Sequence, residues 1–73
     1  MRKKQLRIRI RAVLEKMPDG GTADEISEVI SRTYNTQRFP CKEVSGICAH
    51  DAQITKNGKL SGINMYILKK HLN

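Results

Sequence analysis

The sequence predicts a small α+β domain, three helices followed by a two-stranded antiparallel β-hairpin. Three observations carry that expectation. Apolar residues recur at helical spacing through "KKQLRIRIRAVLEKM". A capping box opens "TADEISEVISRTY". Two β-prone stretches, near 53–56 and 64–69, flank the turn-forming residues "NGKLSG". A chain of 73 residues reads as a single domain, 1–73. A domain this small buries only about 60% of its unfolded surface, which leaves no walls for a large enclosed active site. With one Phe, two Tyr and no Trp, its core is expected to be aliphatic.

The first helix rests on Leu6, Ile10, Val13, Leu14 and Met17, spaced i, i+4, i+7, i+8 and i+11. A conflict lies inside it, because "LRIRIR" alternates apolar and basic residues with the period of a strand. The longer 3.6-residue pattern through Ala12 and Val13 decides for helix. Pro18 and the Gly20–Gly21 pair stop it. Residues 1–5 read equally as frayed helix or as a flexible basic arm, and the alternation leaves open how much of 1–8 is helical.

A second helix is expected over 22–33. Thr22 is a good N-cap, and Glu25 completes the T-x-x-E box. Asp24 and Glu25 fall in the first turn, where the helix dipole favours negative charge. Ile26, Val29, Ile30 and Thr33 share one face. "NTQRFP" breaks the pattern, and Pro40 suits the first turn of a third helix over about 40–50. Cys41, Val44, Ile47 and Cys48 then point inward, with Lys42, Ser45, Gly46, Ala49 and His50 outward. Gly46 weakens this helix by about 1 kcal/mol relative to Ala. In the hairpin, Asn57-Gly58 is the strongest short turn signal and Ser61-Gly62 a second break. The expectation is a long flexible basic loop between strands, with a tighter hairpin on Asn57-Gly58, kinked at Gly62, as its alternative.

"RFPCKEVSGICAHD" holds both cysteines and one of the two histidines, which raises the question of a metal or redox site. Helical geometry argues against one. Seven residues along a helix span about 10.5 Å, whereas two sulfurs on one zinc lie at most about 4.6 Å apart. The same spacing forbids a disulfide, whose Cα atoms lie within about 7 Å. Cys41 and Cys48 are therefore expected in the core as small hydrophobes. His50 follows Cys48 by two residues, so on a helix the two point about 200° apart and form no catalytic pair. The sequence has no Gly-rich phosphate loop and no paired carboxylates. The expectation is a protein without cofactor or metal that is not an enzyme.

Charge points to partners. The net charge is +7 and the pI about 9.9. Residues 1–16 hold seven Lys or Arg against Glu15 alone, and 52–73 hold Lys56, Lys59, Lys69 and Lys70 with no acid. Asp19, Asp24, Glu25 and Glu28 make the middle acidic. Basic ends around an acidic middle suit a polyanion on one face, nucleic acid above all. Neither a secretory h-region nor a membrane-length apolar run is visible, so a cytoplasmic protein without a membrane is expected.

The order helix, capped helix, short turn, helix, basic hairpin resembles the winged helix-turn-helix superfamily. "TADEISEVI" looks like its second helix, with the T-x-x-E-I-x-x-x-I pattern. "EVSGICAHDAQITK" looks like its recognition helix running into the first wing strand, and is similar to the V-S-x-I-L pattern of small prokaryotic and archaeal regulators. "KNGKLSGINMYIL" resembles the wing. The resemblance covers nearly the whole chain. It implies a double-stranded DNA-binding protein, a small transcription regulator or a phage- or plasmid-type accessory factor.

The resemblance also implies roles. The third helix enters the major groove with Lys42, Ser45, Gly46, Ala49 and His50 facing base edges. Gly46 departs from relatives that carry a long basic side chain there. It offers no hydrogen bond, and Ala49 offers only a methyl, so base reading is poorly equipped. Phosphate contacts fall to Gln37, Arg38 and Lys42 around the helix start, to Lys56, Asn57 and Lys59 in the wing, and to Arg2, Lys3, Lys4, Arg7, Arg9 and Arg11 on the first helix or arm. Tyr34, Phe39 and Tyr66 could stack on bases, although Phe39 and Tyr66 are expected in the core. A homodimer would match the two-fold symmetry of operators, with Ile8, off the buried stripe, as the residue to watch. Two alternatives stand beside DNA: a winged-helix adaptor for a protein partner, and RNA binding through the same basic surfaces.

Overall fold

A computed structural model describes residues 3–72. Three helices and a three-stranded antiparallel sheet alternate along the chain: α1 (Lys3–Glu15), β1 (Gly21–Thr22), α2 (Ala23–Tyr34), α3 (Cys41–His50), β2 (Ile54–Leu60), β3 (Ile63–Leu68) and a closing 3₁₀ turn (Lys69–Leu72). The chain is thus α+β as expected, but with one strand more than the sequence suggested.

Helix α1 settles the strand-or-helix conflict. It is helical from Lys3, so residues 3–5 are not a separate arm, while residues 1 and 2 lie outside the described residues. Leu6, Ile10, Val13 and Leu14 are all buried, and Ile8 is left 57% exposed. The helix ends at Glu15, earlier than the periodicity through Met17 implied. The amides of Lys16 and Met17 bond instead to the carbonyls three residues back, at 3.0 Å each, tightening the last turn.

Helix α2 begins as the capping box dictates. Thr22 Oγ1 accepts from the Glu25 amide at 3.2 Å, and the Glu25 carboxylate accepts from the Thr22 amide at 2.9 Å. Asn35 ends the helix in the left-handed conformation, φ 53°, a common C-terminal cap. Ile26 and Ile30 are fully buried and Val29 half-buried, whereas Thr33, expected on the same face, is exposed. Ser27 is buried as well, and its hydroxyl donates to the Phe39 carbonyl at 2.7 Å, tying α2 to the approach of α3.

The sheet order is β1-β3-β2. The extra strand is only Gly21–Thr22, antiparallel to Tyr66 and Met65. It makes Thr22 both a strand residue and the cap of α2. The hairpin departs from both sequence-based alternatives. Its turn is Ser61-Gly62, with φ of 52° and 81°, two positive values that suit the right-handed twist of a two-residue hairpin loop. Asn57-Gly58 lies inside β2 as a bulge: Lys56 pairs with Tyr66 and Lys59 with Asn64, so two residues oppose Met65 alone. Gly58 supplies the positive φ, 74°, that the bulge uses. The expected long basic loop is therefore paired strand almost to its tip.

One core joins these parts. Leu6, Ile10, Val13 and Leu14 of α1 meet Ile26 and Ile30 of α2, Val44, Ile47 and Cys48 of α3, and Ile54, Tyr66 and Leu68 of the sheet. Met17, Val29, Tyr34 and Phe39 pack around it, partly buried. The core is aliphatic apart from Cys48 and from Tyr66, whose polar end is satisfied as described below.

Candidate nucleic-acid interface

Helix α3 is pinned by Val44, Ile47 and Cys48, which are buried. Helical spacing then turns Lys42, Gly46, Ala49 and His50 to the exposed side. A Cβ built on Gly46 would meet nothing within 4 Å, so this outward face has room for a ligand surface. Ser45 is the exception. It is half-buried, and its hydroxyl lies 2.6 Å from the Tyr66 hydroxyl, so the pair satisfies each other beneath the surface. Cys41, expected in the core, is exposed. It stands in the first turn, beyond the reach of the core stripe, and its thiol contacts the Asp24 carboxylate at 3.6 Å. Pro40, the N-cap, brings no side-chain hydrogen bond to the helix start.

The hairpin runs along both ends of this helix. Lys42 and Ser45 share a groove with Ile63, Asn64 and Tyr66. Lys59 is the cross-strand partner of Asn64, at the same level. At the other end, Ala49 shares a groove with Thr55 and Lys56. On the opposite flank of α3, Gly46 and His50 border a third groove with Arg7 of α1 and Glu43. Lys42, Lys56, Lys59 and Arg7 thus surround the exposed face of α3. Among the described residues none of the four makes an ion pair or side-chain hydrogen bond. Gln37 and Asn57 are exposed too.

Other cations expected on phosphates are engaged within the fold. Arg38 is paired with Asp24 at 2.5 Å. Arg9 lies over the Tyr34 ring, 4.4 Å from its centroid, a cation–π contact that also occupies one face of that ring. Arg11 donates from Nε and Nη2 to the two oxygens of Asp51, at 2.8 and 2.9 Å. Lys4 is exposed, while Arg2 and the Lys3 side chain lie outside the described residues. Phe39 is half-buried and Tyr66 buried, neither free to stack on a base.

Asp51 escaped sequence reading. It directly follows α3, is buried, and accepts from the Gln53 amide at 2.8 Å as well as from Arg11. The bidentate guanidinium holds its carboxyl below the usual aspartate range, helped by the Gln53 amide, while burial works in the opposite direction. Arg11 and Asp51 are forty residues apart, so no local spacing could announce the pair. Its effect is positional: it locks the end of α3 and the start of β2 onto α1.

No protein-family model, curated protein or solved structure matches this chain. What the chain can bind is read from this surface alone. The cysteines do not change it. They lie seven residues apart on one helix, and burial pushes the Cys48 thiol up to about 12, so that it stays protonated near neutrality. Among the described residues, no three His, Cys, Asp or Glu side chains gather as a metal ion would need.

Proposed function

We propose that this chain is a double-stranded DNA-binding protein of winged helix-turn-helix type, a small regulator or accessory factor. In this reading α3 docks in the major groove and β2–β3 is the wing. The observation that carries it is the ring of unpaired cations, Arg7, Lys42, Lys56 and Lys59, around the exposed face of α3. The fold neutralises Arg38, Arg11 and Lys70 with carboxylates; these four stay exposed and unpaired around α3, while Lys4, Lys16, Arg32 and Lys69 are exposed elsewhere. Cations in that arrangement suit phosphates on either side of a groove.

The same surface limits what can be read. Lys42, His50 and the half-buried Glu43 are the side chains along the open grooves of α3 able to hydrogen-bond a base edge without first giving up an internal partner. Gly46 and Ala49 contribute none. Affinity then comes mainly from phosphates, which position a protein without specifying sequence. An adaptor for a protein partner is the second reading. The observation favouring it is an apolar groove between α1 and α2, lined by Ala12, Val13, Met17, Val29 and Tyr34.

A titration of fluorescent random-sequence duplex at several salt concentrations tests the proposal, with single-stranded RNA of equal length alongside. Four phosphate contacts give log K falling with log salt at a slope of about −4, and the double variant Lys56→Glu, Lys59→Glu makes it shallower by about 2. Absence of duplex binding at low salt overturns the reading in favour of the adaptor. Tighter binding to the RNA overturns it in favour of an RNA protein.

A further inference from the structure

The hairpin tip carries something a phosphate clamp does not need. Leu60 is 52% exposed and Ile63 57% exposed, two of the four large apolar side chains left in solvent among the described residues. One exposed apolar residue is ordinary. These two are direct cross-strand partners, so they leave the ribbon on the same face, side by side. Only Ser61 and Gly62 lie beyond them, both small, so nothing at the tip overhangs the pair. Pairing continues through Lys59↔Asn64 and Leu60↔Ile63 to the turn, which gives the tip a regular ribbon as support.

We infer that Leu60 and Ile63 form an apolar wedge that the wing inserts into the minor groove of duplex DNA, partly unstacking a base step. This rests on the DNA-binding reading above. Charge selects the occupant. Lys56 and Lys59 stand behind the wedge on the same strand, and the chain from residue 52 to 73 contains no acid. An apolar tip on a cationic ribbon suits a partner that is anionic at its rim and stacked and apolar within. The minor groove has that form, with phosphates along both edges and base planes between them. It is only about 6 Å wide. A two-stranded ribbon, its strands about 4.8 Å apart before side chains are added, does not fit inside. Its tip side chains can enter, and entry between base pairs is how apolar wedges kink a duplex. Flexible TA steps, the easiest to unstack, are the preferred points of insertion. The inference also offsets the poverty of α3 as a base reader: discrimination would come from deformability instead of base-edge hydrogen bonds.

The test uses the full chain and a short duplex with 2-aminopurine at a central TA step, whose fluorescence rises when the base unstacks. Wild type is expected to raise the signal on binding. Leu60→Ala with Ile63→Ala is expected to abolish the rise and weaken binding about tenfold, with the salt slope unchanged because no phosphate contact is lost. Leu60→Met with Ile63→Met, still apolar, retains the rise. Thermal melts followed by circular dichroism check that the variants fold, as substitutions at exposed positions should. Salt-dependent binding with no fluorescence rise, or an alanine variant that behaves as wild type, overturns the wedge and leaves the DNA reading intact. Absence of duplex binding by wild type overturns both. Sedimentation that finds a dimer in wild type and a monomer in the alanine variant assigns the tip to a second copy and overturns the wedge.

Discussion

The two ends of one hairpin live in different surroundings. At its base Ile54 pairs with Leu68, and both are buried, as are Tyr66 and Ile67. At its tip Leu60 pairs with Ile63, and both are exposed. The same side-chain chemistry is core at one end and surface at the other. Burial follows reach to the core: Ile54, Tyr66 and Leu68 join the cluster shared with the three helices, whereas Leu60 and Ile63 lie beyond it. The base therefore holds the fold together, while the tip is free to do something else.

Three measurements press on that difference. The largest effect belongs to the core pair. Leu68→Ala should cost about 2–5 kcal/mol in urea unfolding, through lost burial and an unfilled cavity. Ile63→Ala should stay within about 0.5 kcal/mol, as surface changes do. Equal costs would mean that the tip is part of the core. The next effect concerns the latch at the base. Asp51→Ala removes charge-assisted hydrogen bonds to Arg11 and should cost about 2 kcal/mol. The lowered folded-state pKa of Asp51 gives this contribution a direction in pH. It is fully present above the unfolded value near 3.8 and is lost as pH falls through the lower folded value. Wild-type stability should drop on acidification below pH ~4 more steeply than that of Asp51→Asn. A smaller loss than that of either Leu68→Ala or Asp51→Ala belongs to the bulge midway along the ribbon, where a residue at positive φ is tested. Gly58→Ala places a Cβ at φ 74°, in open space, so the cost is conformational alone, about 1 kcal/mol. A neutral result there would mean that the bulge is not held in this geometry.

Legibility in the sequence followed the range of the interactions. Helix α2 was readable nearly to the residue, because Thr22, Glu25 and the isoleucines act within two turns. The buried stripe of α1 and the outward placing of Lys42, Gly46, Ala49 and His50 were readable for the same reason, whereas Ser45 turned partly inward to Tyr66 and Cys41 outward. What failed was non-local. Strand β1 exists because Tyr66 and Met65 come to meet Gly21 and Thr22, more than forty residues away. Local signals pointed to a long basic loop, with a tighter hairpin on Asn57-Gly58, the stronger turn former, as the alternative. Facing Tyr66 and Leu68 toward the core sets the register, and that register moves the turn to Ser61-Gly62 and leaves Asn57-Gly58 to absorb one extra residue. The proposed phosphate contacts thinned for a related reason. Sequence reveals a cation, but the carboxylates that claim Arg11 and Arg38 are forty and fourteen residues distant.

The seven residues of β2 form one margin of the sheet, and among the described residues no further strand lies beyond it. A straight margin of that length is a template on which another chain can add its own backbone, the first step toward aggregates. The bulge at Asn57-Gly58 interrupts the repeat of unpaired amides and carbonyls such growth requires, and Lys56 and Lys59 repel the same lysines of an incoming copy. Resistance to edge-to-edge growth is then built into the ribbon itself, and straightening it by deleting one bulge residue should raise the tendency to form fibres.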